Sequence, residues 1–420
     1  MIKSKIQNLK PKILIVGAGP SGASLAIRLG KKNFRVCLIE RERFPRPKLC
    51  GEFISPECLE HFRELDVLDE MLAAGGERIS ETVFFEPNGK SIGVPSRWFN
   101  GDSQGALSLS RAEMDFQLLK KAKRVGVEVL EEHSAVGLFQ EDNKIRGLKF
   151  RTKDGEMKEI FADLFVDATG RTRVLGKMIS REGAKLQGKE NSKFKTQNSK
   201  LVKIQNPKSK IQNRFIGFKA HLKEVNLEKG VCEIYFFRGG YGGLSFVENG
   251  RANFCFLIKA ETVKEFSGDA VKIIERLIFQ NKRACETLKN AEPVHDWLAV
   301  SVDGFGQKDL NPAANLFAVG DAGAFIDPFT GSGMLMAMES AEILAQVIVA
   351  NPATEKIAEQ YKSEHARRFQ RRLFISSLMR RAAFAPALSK ILISALSIGD
   401  FPRKILARAT RPTVSVSKIQ

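Results

Sequence analysis

The sequence predicts an α/β (α+β) protein, in which a Rossmann-like domain joins an antiparallel-sheet domain and a C-terminal helical segment. The first observation is a βαβ pattern, with apolar runs at 13–16 and 35–39 flanking a helical stretch at 21–30. The second is a series of short strand-like runs between residues 215 and 259, separated by turn residues. The third is the basic region 355–410, which we predict to be mostly helical.

The size and composition of the chain predict a soluble, multi-part protein. Its 420 residues exceed what one hydrophobic core usually supports, so we expect two or three sub-domains. Apolar content is 43%, and no run approaches the roughly 20 apolar residues of a membrane-spanning helix. Residues 1–12 are polar and basic, unlike a secretory signal. The six cysteines and five histidines lack metal-ligand spacing, so we predict no metal site and a reducing, cytoplasmic location.

The net charge of +19 is concentrated in three segments. Residues 1–12, 181–214 and 361–420 carry +4, +8 and +11, which leaves −4 for the rest of the chain. Because the main body of the chain is not basic, the charge does not indicate a nucleic-acid partner, and we predict none.

The predicted elements divide the chain into five kinds of segment. These are a basic flexible N-terminus at 1–11, a Rossmann-like domain at 12–80, 106–183 and 295–350, an antiparallel-sheet domain at 81–105 and 214–294, a low-complexity insertion at 184–213, and a basic helical C-terminal region at 351–420. Helices are also expected at 111–125 and 333–350, and strands near 127–131, 135–139, 145–151, 159–167, 215–222, 232–237, 243–248, 252–259 and 316–319. Between the strands at 243–248 and 252–259, Asn249-Gly250 predicts a tight hairpin, because both residues tolerate positive φ.

The insertion at 184–213 is rich in Lys, Asn, Gln and Ser. The phrase Lys-Ser-Lys-Ile-Gln-Asn occurs at 3–8 and 208–213, and Ser-Lys-Ile-Gln closes the chain at 417–420. Such a composition buries too little apolar surface to offset the chain entropy lost on folding, so we interpret the insertion as a flexible connection. A basic tether for an anionic membrane or RNA is the less favoured alternative.

The first candidate binding motif follows the first predicted strand and reads Gly17-Ala-Gly19-Pro20-Ser21-Gly22. Gly17 allows the tight turn, Gly19 lets a pyrophosphate approach the backbone, and Gly22 lets helix and strand pack closely. The helix N-terminus that follows then binds the phosphates. Glu40, at the end of the second strand, suits an adenosine ribose and would repel a 2′-phosphate, although Arg41 beside it weakens that exclusion. This motif alone predicts either NAD or FAD.

A second glycine-rich motif follows the predicted strand at 316–319 and separates these two cofactors. It reads Gly320-Asp321-Ala-Gly-Ala-Phe-Ile-Asp327-Pro328-Phe-Thr-Gly331-Ser332-Gly333-Met334. Here the sequence resembles the p-hydroxybenzoate hydroxylase-fold flavoproteins, in which a distal Gly-Asp motif binds the ribityl chain of FAD. The resemblance implies that Asp321 contacts a ribityl hydroxyl. It also implies that Pro328 and the turn through Gly331, Ser332, Gly333 and Met334 place a helix N-terminus against the flavin C2 carbonyl. Such an N-terminus stabilises the negative charge that reduced flavin gains there.

Two further elements carry the same resemblance to these flavoproteins. Asp167-Ala-Thr-Gly170 matches the family's Asp-Gly region behind the first glycine loop, and Arg111, with Asp115 on the same helix face, matches its arginine near the FAD phosphates. The resemblance therefore implies a Rossmann-like FAD-binding domain whose motifs span about residues 12–345. Each of these residues also has a purely structural alternative, such as capping a helix.

A narrower resemblance is carried by Arg43-Phe-Pro-Arg46-Pro-Lys48-Leu-Cys50-Gly51-Glu52. This segment looks like the geranylgeranyl reductase family, where a Cys-Gly pair lies beside the flavin. The resemblance implies that Cys50 could donate the proton that completes reduction of a C=C bond. Packing of a small buried thiol is an equally weighted alternative. Arg46 and Lys48 either hold anionic flavin or phosphate, or lie in solvent.

The substrate segment departs from the geranylgeranyl reductase pattern. That family carries an aromatic-rich Tyr-x-Trp-x-Phe-Pro segment, whereas the corresponding stretch here, 239–246, has no Trp or Pro. The Trp-x-Trp-x-Ile-Pro signature of flavin-dependent halogenases is also missing. Tyr241 and Phe246 either line a pocket above the flavin or belong to a sheet core, and we favour the pocket for Tyr241. The substrate therefore stays open.

The C-terminal region combines arginine pairs with an apolar stripe. Arginine pairs at 367–368, 371–372 and 380–381 are followed by apolar residues on one helical face, at Leu388, Ile391, Leu392, Ala395 and Leu396. A basic amphipathic helix can lie on an anionic membrane, which would suit a lipid-like substrate and a membrane-associated location. Packing on the FAD-binding domain is the favoured alternative.

We therefore expect an FAD-dependent oxidoreductase that transfers hydride between flavin N5 and a small apolar, isoprenoid-like substrate. The alternative is a flavin-dependent monooxygenase acting on an aromatic or alkene substrate, and a third class is an electron-shuttling flavoprotein. Because no iron–sulfur cysteine cluster is present, the third class is less favoured. No second nucleotide fingerprint identifies the electron donor, and fold relatives use NAD(P)H or ferredoxin.

Overall fold

The computed structural model describes residues 12–99, 105–186, 215–351, 354–384, 396–397, 399–409 and 411. Within these ranges it contains helices together with parallel and antiparallel sheets, which confirms the predicted fold class. The N-terminal repeat, nearly all of the insertion at 184–213, and the stripe residues from Leu388 to Ala395 lie outside the described residues.

A five-stranded parallel sheet forms the base of the Rossmann-like part. Its strands, in spatial order, are β20 (Leu316–Ala318), β12 (Leu164–Asp167), β1 (Lys12–Val16), β2 (Arg35–Ile39) and β8 (Glu128–Leu130). These short apolar runs are mostly buried, as expected for a sheet covered on both faces. The register aligns the last residues of four strands in one row. The loops that follow those strands therefore emerge side by side at one edge.

The helices are labelled in chain order. They are α1 (Pro20–Lys31), α2 (Pro56–Glu64), α3 (Leu68–Ala73), α4 (Arg111–Arg124), α5 (Val174–Leu186), α6 (Ala260–Glu265), α7 (Ala270–Arg276), α8 (Lys282–Leu288), α9 (Gly333–Ala350), α10 (Thr354–Ala383) and α11 (Asp400–Ala409). Helix α1 packs between α9 and α4, and α10 packs against α9. Together with one face of the parallel sheet these helices bury the largest apolar cluster.

Two small sheets flank the parallel sheet. One contains β9 (Ser134–Glu141), β10 (Lys144–Arg151) and β11 (Met157–Phe161), and the other contains β3 (Phe53–Ile54), β7 (Ala106–Ser108) and β4 (Glu77–Ile79). The first covers the sheet face opposite α1, where Leu148 and Phe150 pack with Leu14 and Phe165. The single strand predicted at 159–167 is thus two strands, because a turn at 162–163 separates the ribbon from the parallel sheet.

An eight-stranded sheet forms the second large layer. Its strands are β17 (Glu292–Pro293), β13 (Phe215–Lys223), β16 (Ala252–Lys259), β15 (Gly240–Phe246), β14 (Val231–Phe237), β5 (Glu81–Phe85) and β6 (Ser91–Pro95) in spatial order, with β18 (Leu298–Val302) paired to β13. All pairs are antiparallel except β14 with β5. A short pair, β19 (Gly306–Gln307) with β21 (Ala324–Phe325), leads toward α9.

Strand β15 begins three residues earlier than the sequence predicts. The residues from Gly240 to Gly242 were expected to lie outside the strand, as glycine generally disfavours strands. Packing accounts for the difference, because a Cβ on Gly242 would lie 3.0 Å from carbons of both Phe254 and Phe256 on β16. The predicted hairpin residues that follow, Asn249 and Gly250, both have positive φ, of 61° and 67°.

The described part of the C-terminal region packs on the Rossmann-like layer. Ile357, Tyr361 and Phe369 of α10 are buried in the main cluster, and Arg372 is buried too. One described helix, α9, is long and apolar enough to cross a membrane, and 72% of it is buried inside the protein. Helix α10, the first part of this region, therefore packs on the Rossmann-like layer, in agreement with the packing alternative.

Candidate active site

The first glycine loop joins β1 to α1. Gly17 has a φ of +103°, and a Cβ there would lie 2.4 Å from the carbonyl oxygen of Ala168. A Cβ on Gly22 would lie 1.9 Å from the Gly17 oxygen. Both positions therefore exclude any side chain. Helix α1 begins at Pro20, and no side chain caps its N-terminus, so the backbone N–H groups of its first turn are free for an anionic ligand.

Glu40 follows β2 at the same sheet edge. Its carboxylate is buried and accepts hydrogen bonds from the backbone N–H of Ala18, at 2.8 Å, and of Glu42, at 3.1 Å. Each oxygen retains a second lone pair for a ligand hydroxyl. Arg41 is exposed and pairs with Glu42 at 3.3 Å. The structure thus places Glu40 beside the glycine loop and turns Arg41 outward.

Arg111 at the start of α4 lies over the glycine loop. A Cβ on Gly19 would lie 3.8 Å from Arg111 Nη2. The guanidinium pairs bidentately with buried Asp115, at 2.9 and 2.7 Å, and Arg46 joins this carboxylate at 3.2 Å. Burial alone lowers the pKa of Arg111. The charge of Asp115, together with the nearby Cys50 thiol, outweighs burial and raises this pKa above its usual value. Two fixed cations therefore stand next to the predicted phosphate site.

Asp167 ends β12 behind the glycine loop. Its carboxylate accepts hydrogen bonds from Thr169 N (3.1 Å), Thr169 Oγ1 (2.6 Å) and Gly176 N (3.0 Å), and it is almost fully buried. These hydrogen bonds hold the loop, while Oδ2 accepts only one of them and keeps a second lone pair, so the predicted cofactor contact of Asp167 stays a prediction. Gly170, also predicted, has a φ of 66° and faces open space.

The second glycine loop meets the first. Gly320 donates its N–H to Ser340 Oγ at 2.9 Å, and a Cβ on Gly320 would lie 2.6 Å from Ser21 Oγ. Strand β20 therefore delivers Gly320 directly beside the start of α1. The two predicted motifs, 300 residues apart in the chain, form one continuous edge.

Asp321 follows in a short 3-10 helix, Gly320–Ala322. Burial raises the pKa of its carboxyl, against the charges of Arg171, Arg111 and Lys48. Among the described residues this carboxylate has no hydrogen-bond partner. A half-buried acceptor that lacks a protein donor is left to solvent or to a ligand. The arrangement fits a ligand that brings a hydroxyl donor.

The loop before α9 completes the edge. The segment Pro328–Thr330 forms a 3-10 turn that begins at Asp327, and Gly331 has a φ of 60°. Helix α9 starts at Gly333 behind a buried Ser332 that gives no side-chain cap, and a Cβ on Gly333 would meet nothing within 4 Å. The uncapped N-terminus faces open space, where the dipole favours negative charge, and Met334 is buried in its first turn.

The Cys50 segment packs against the same loop, since a Cβ on Gly331 would lie 3.2 Å from Phe53 Cδ1. Cys50 is half-buried, its Sγ accepts the Glu52 N–H at 3.4 Å, and its carbonyl accepts Asn253 Nδ2 at 3.2 Å. Gly51 beside it is exposed, and a Cβ added at this position would meet no atom within 4 Å. Hydrogen bonds from the eight-stranded sheet therefore fix the Cys50 segment.

A buried charged cluster supports this segment. Glu52, which has a φ of 56°, pairs with Lys219 Nζ and, at 2.7 Å, with His221 Nε2, and it also accepts the Arg111 N–H at 2.8 Å. Burial opposes ionisation, but the His221 hydrogen bond and the Lys219 charge hold the pKa of Glu52 below its usual range. Lys219 also donates to the Lys48 carbonyl at 3.1 Å. The cluster ties the two layers together beneath Cys50.

Tyr241 lies on β15 of the eight-stranded sheet, opposite the loop before α9. Its hydroxyl donates to Asp327 Oδ1 at 3.3 Å, and burial, together with Asp327, raises the pKa of Tyr241. Its ring packs against Phe329 and Phe384, with centroids 5.0 and 5.7 Å apart. We call the surrounding rings the aromatic wall, which consists of Phe84, Phe215, Phe236, Tyr241, Phe305, Phe325, Phe329 and Phe384. Tyr241 is thus a buried member of the contact between the eight-stranded sheet and the loop before α9, and its predicted pocket role stays a prediction.

The residues present fit an FAD molecule. The α1 N-terminus and Arg111 suit the pyrophosphate, Glu40 the adenosine ribose, the unpartnered Asp321 a ribityl hydroxyl, and the α9 N-terminus the flavin C2 carbonyl. Part of the Lys48 side chain is exposed to solvent, although protein surrounds it on most sides. This partial burial, together with the charges of Arg46 and Arg111, lowers the pKa of Lys48 to about 8. These contacts line one sheet edge in the order of the cofactor's parts.

The fold and the site define a nucleotide-binding α/β protein built to hold a dinucleotide cofactor. Residues 10–374 match the family described as the FAD binding domain, and the chain belongs to this family. Its cofactor is therefore FAD, and the chain is a flavin-dependent enzyme of the oxidoreductase class.

Relatives agree with the predicted resemblance. The chain is 27% identical over 370 residues to digeranylgeranylglycerophospholipid reductase 2 of Methanopyrus kandleri, covering 85% of this chain and 82% of the relative. This confirms the predicted resemblance to the geranylgeranyl reductase family.

Two solved structures share the fold. A geranylgeranyl bacteriochlorophyll reductase-like protein from Thermoplasma acidophilum superposes with a TM-score of 0.70 at 19% identity, covering 97% of this chain and 94% of that one. A triple mutant of the flavin-dependent brominase Bmp2 superposes with a TM-score of 0.72 at 19% identity, covering 95% of each chain. Reductases and halogenating enzymes thus occur on one architecture.

The structure brings into the site several residues to which the sequence motifs gave no role. Asp327 stood inside a quoted motif without a role, and Arg380 pairs with it at 3.4 Å. Lys219 and His221 alternate on β13, a pattern that suggests a polar patch on one strand face, but their partner Glu52 lies more than 160 residues away. Only the packing of two layers brings these charges together.

Proposed function

We propose that the protein is an FAD-dependent reductase that saturates a C=C bond in an apolar, isoprenoid-type substrate. The observation that carries the proposal is the aromatic wall, in which Phe329 of the loop before α9 packs against Tyr241 and Phe84 of the eight-stranded sheet, next to the predicted flavin contacts. Apolar rings offer a long alkene dispersion contacts and no competing polar partner. The name of the Methanopyrus kandleri relative, a digeranylgeranylglycerophospholipid reductase, supports a lipid-like substrate of this class.

When bound, FAD supplies two-electron chemistry, with hydride exchanged at N5. The protein residues would hold the cofactor at one sheet edge and exclude water from the alkene. Reduction of a C=C bond also needs one proton from an acid of the site. The described residues offer two candidates at the cleft, the thiol of Cys50 and the carboxyl of Asp327.

The electron donor we propose is NAD(P)H or ferredoxin. The single glycine loop at Gly17–Gly22 and its ribose-binding Glu40 are both used by FAD in the proposed arrangement. A nicotinamide donor would therefore bind transiently over the cleft rather than in a second fingerprint. Reduction of the purified flavoprotein by NADPH, NADH or reduced ferredoxin, followed at the flavin absorbance band, identifies the donor.

We also propose peripheral membrane contact through the C-terminal helices. Phe374 and Leu378 on α10 and Phe401 and Ile405 on α11 are exposed by 64, 47, 77 and 53%. Arg367 on α10 is exposed too. Apolar side chains among cations suit an anionic lipid surface. We expect the protein to co-sediment with anionic vesicles and only weakly with neutral vesicles. A Phe374→Ser, Phe401→Ser double variant is expected to lose this co-sedimentation.

The proposed reductase and the alternative, a flavin-dependent monooxygenase, differ in their use of oxygen. The reductase is expected to convert a polyprenyl substrate under strict anaerobiosis to a product heavier by two hydrogens, with two electrons taken from the donor for each bond reduced. The monooxygenase would give no product without oxygen and an oxygenated product with it. Mass spectrometry of products formed in parallel aerobic and anaerobic reactions, with polyprenyl and aromatic substrates, separates the two functions.

A further inference from the structure

Asp327 is a buried carboxyl with two differently placed oxygens. Its side chain is 2% exposed. Oδ1 accepts the Phe329 N–H at 2.9 Å and the Tyr241 hydroxyl at 3.3 Å. Oδ2 has no hydrogen-bond partner, although Arg380 Nε lies 3.4 Å away without hydrogen-bond alignment. Because two donors already occupy Oδ1, a proton on this carboxyl resides on Oδ2.

The surroundings of Asp327 are apolar and adjoin the predicted flavin loop. Asp327 precedes Pro328, and Phe329, Tyr241 and Phe384 of the aromatic wall pack around it. The charged and titratable groups that face it are Tyr241 from β15 and Arg380 from α10. Burial raises the pKa of Asp327 to about 6, although Arg380 and Tyr241 lower it. An appreciable fraction is therefore protonated below neutral pH.

Cys50 is placed differently. Its sulfur accepts a backbone N–H from Glu52 and lies beside the Arg111 guanidinium, so the described donors point toward it. Cys255 on β16 pairs in register with Gly243 of β15, and burial raises the pKa of Cys255 to about 12. The Cys50 segment contacts, through Phe53, the loop that begins at Asp327, and the two acidic groups have opposite hydrogen-bonding character.

We propose that Asp327 is the catalytic acid of this site, donating the proton on Oδ2 to one alkene carbon while Tyr241 and Arg380 position it. This inference rests on the proposed reductase function. The hydride from reduced FAD brings its electron pair to the first carbon. The π electron pair forms the second C–H bond with the Asp327 proton. FAD is left oxidised and Asp327 is left as a carboxylate, which the Tyr241 O–H, the Phe329 N–H and the Arg380 charge stabilise. Water then reprotonates it.

The test compares Asp327→Asn with Cys50→Ala, using Asp154→Asn in an exposed turn as the matched control. After anaerobic reduction, flavin reoxidation by a polyprenyl substrate is followed in single turnover across pH. A general acid contributes about 100-fold or more, so Asp327→Asn is expected to lose about 100-fold at acidic pH while retaining FAD. Cys50→Ala is expected to lose less than about tenfold. The reverse pattern would overturn the assignment to Asp327.

The pH profile gives a second readout. The donor form is protonated, so the wild-type rate is expected to be highest below about pH 6 and to fall as the pH rises through that value. Tyr241→Phe removes a hydrogen bond that lowers the Asp327 pKa, so this fall shifts to higher pH. The proposal is contradicted if the fall in rate occurs at the same pH in Tyr241→Phe as in the wild type and is still present in Asp327→Asn.

A third readout does not depend on substrate. Infrared difference spectra of the FAD-loaded protein are expected to show a carboxylic-acid band that fades as pH rises through about 6 and is missing in Asp327→Asn. Absence of that band in the wild type overturns the Asp327 assignment alone. Failure of every polyprenyl substrate to reoxidise wild-type flavin, with the band present, overturns the reductase function and with it the proton transfer to carbon.

Discussion

Replacing Asp321 with Asn is expected to change cofactor affinity and apoprotein stability in opposite directions. The side chain keeps its shape but loses its charge and part of its accepting capacity. In the structure this carboxylate has no protein donor among the described residues, and burial raises its pKa despite three nearby cations. We therefore expect the ligand to supply the missing donor.

The magnitude follows from the hydrogen bond that is lost. A hydrogen bond to a charged group contributes about 1.5–3 kcal/mol, so the dissociation constant for FAD is expected to rise about 10- to 100-fold. For the apoprotein the sign is opposite. Because the folded pKa of Asp321 lies above its unfolded value, the carboxylate destabilises the fold at neutral pH. That penalty disappears as pH falls through the raised pKa, so the apoprotein advantage of Asp321→Asn shrinks on acidification.

The assay is a pair of titrations on FAD-free protein. Quenching of flavin fluorescence gives the dissociation constant, and thermal unfolding of the apoprotein at neutral and acidic pH gives the stability difference. A variant with wild-type FAD affinity would refute the ribityl assignment. A variant apoprotein less stable than the wild type at neutral pH would refute the reasoning from burial.

Two further predictions concern packing and ion pairing. Gly22→Ala is expected to abolish FAD binding, because its Cβ would lie 1.9 Å from the Gly17 oxygen, whereas Gly137→Ala, with its nearest contact at 3.7 Å, is expected to retain full flavin absorbance. Glu339→Gln breaks a buried pair with Arg372, joined at 2.6 Å between α9 and α10, and is expected to cost about 3–5 kcal/mol. Calorimetry would then show a melting temperature lower by about 3–6 °C. Recovery in a Glu339→Leu, Arg372→Met double variant is expected, and its absence would contradict the burial argument.

Local patterns in the sequence were sufficient for the parallel sheet and its loops. The βαβ unit, the strand before Gly320 and the helix from Gly333 rest on short apolar periods and on glycine spacing, which act over a few residues. The hairpin at Asn249-Gly250 was predictable for the same reason, because positive φ is a property of those residues themselves.

Contacts between distant segments were beyond such patterns. The pairing of β5 with β14 joins segments about 150 residues apart, and only their mutual packing selects it. The Glu52 cluster with Lys219 and His221 and the pair formed by Asp327 and Arg380 arise in the same way. The sequence therefore predicted the loops at the edge of the parallel sheet better than the charged contacts between distant segments.

Bound FAD is proposed to deliver reducing equivalents to an apolar alkene without oxygen. The most direct measurement is anaerobic photoreduction of the purified protein, followed by mixing with polyprenyl or aromatic compounds while the flavin absorbance is recorded. The oxidised flavin spectrum is expected to return with a polyprenyl alkene alone and in stoichiometric amount. Flavin that stays reduced with every alkene and reoxidises only when oxygen is admitted would contradict it.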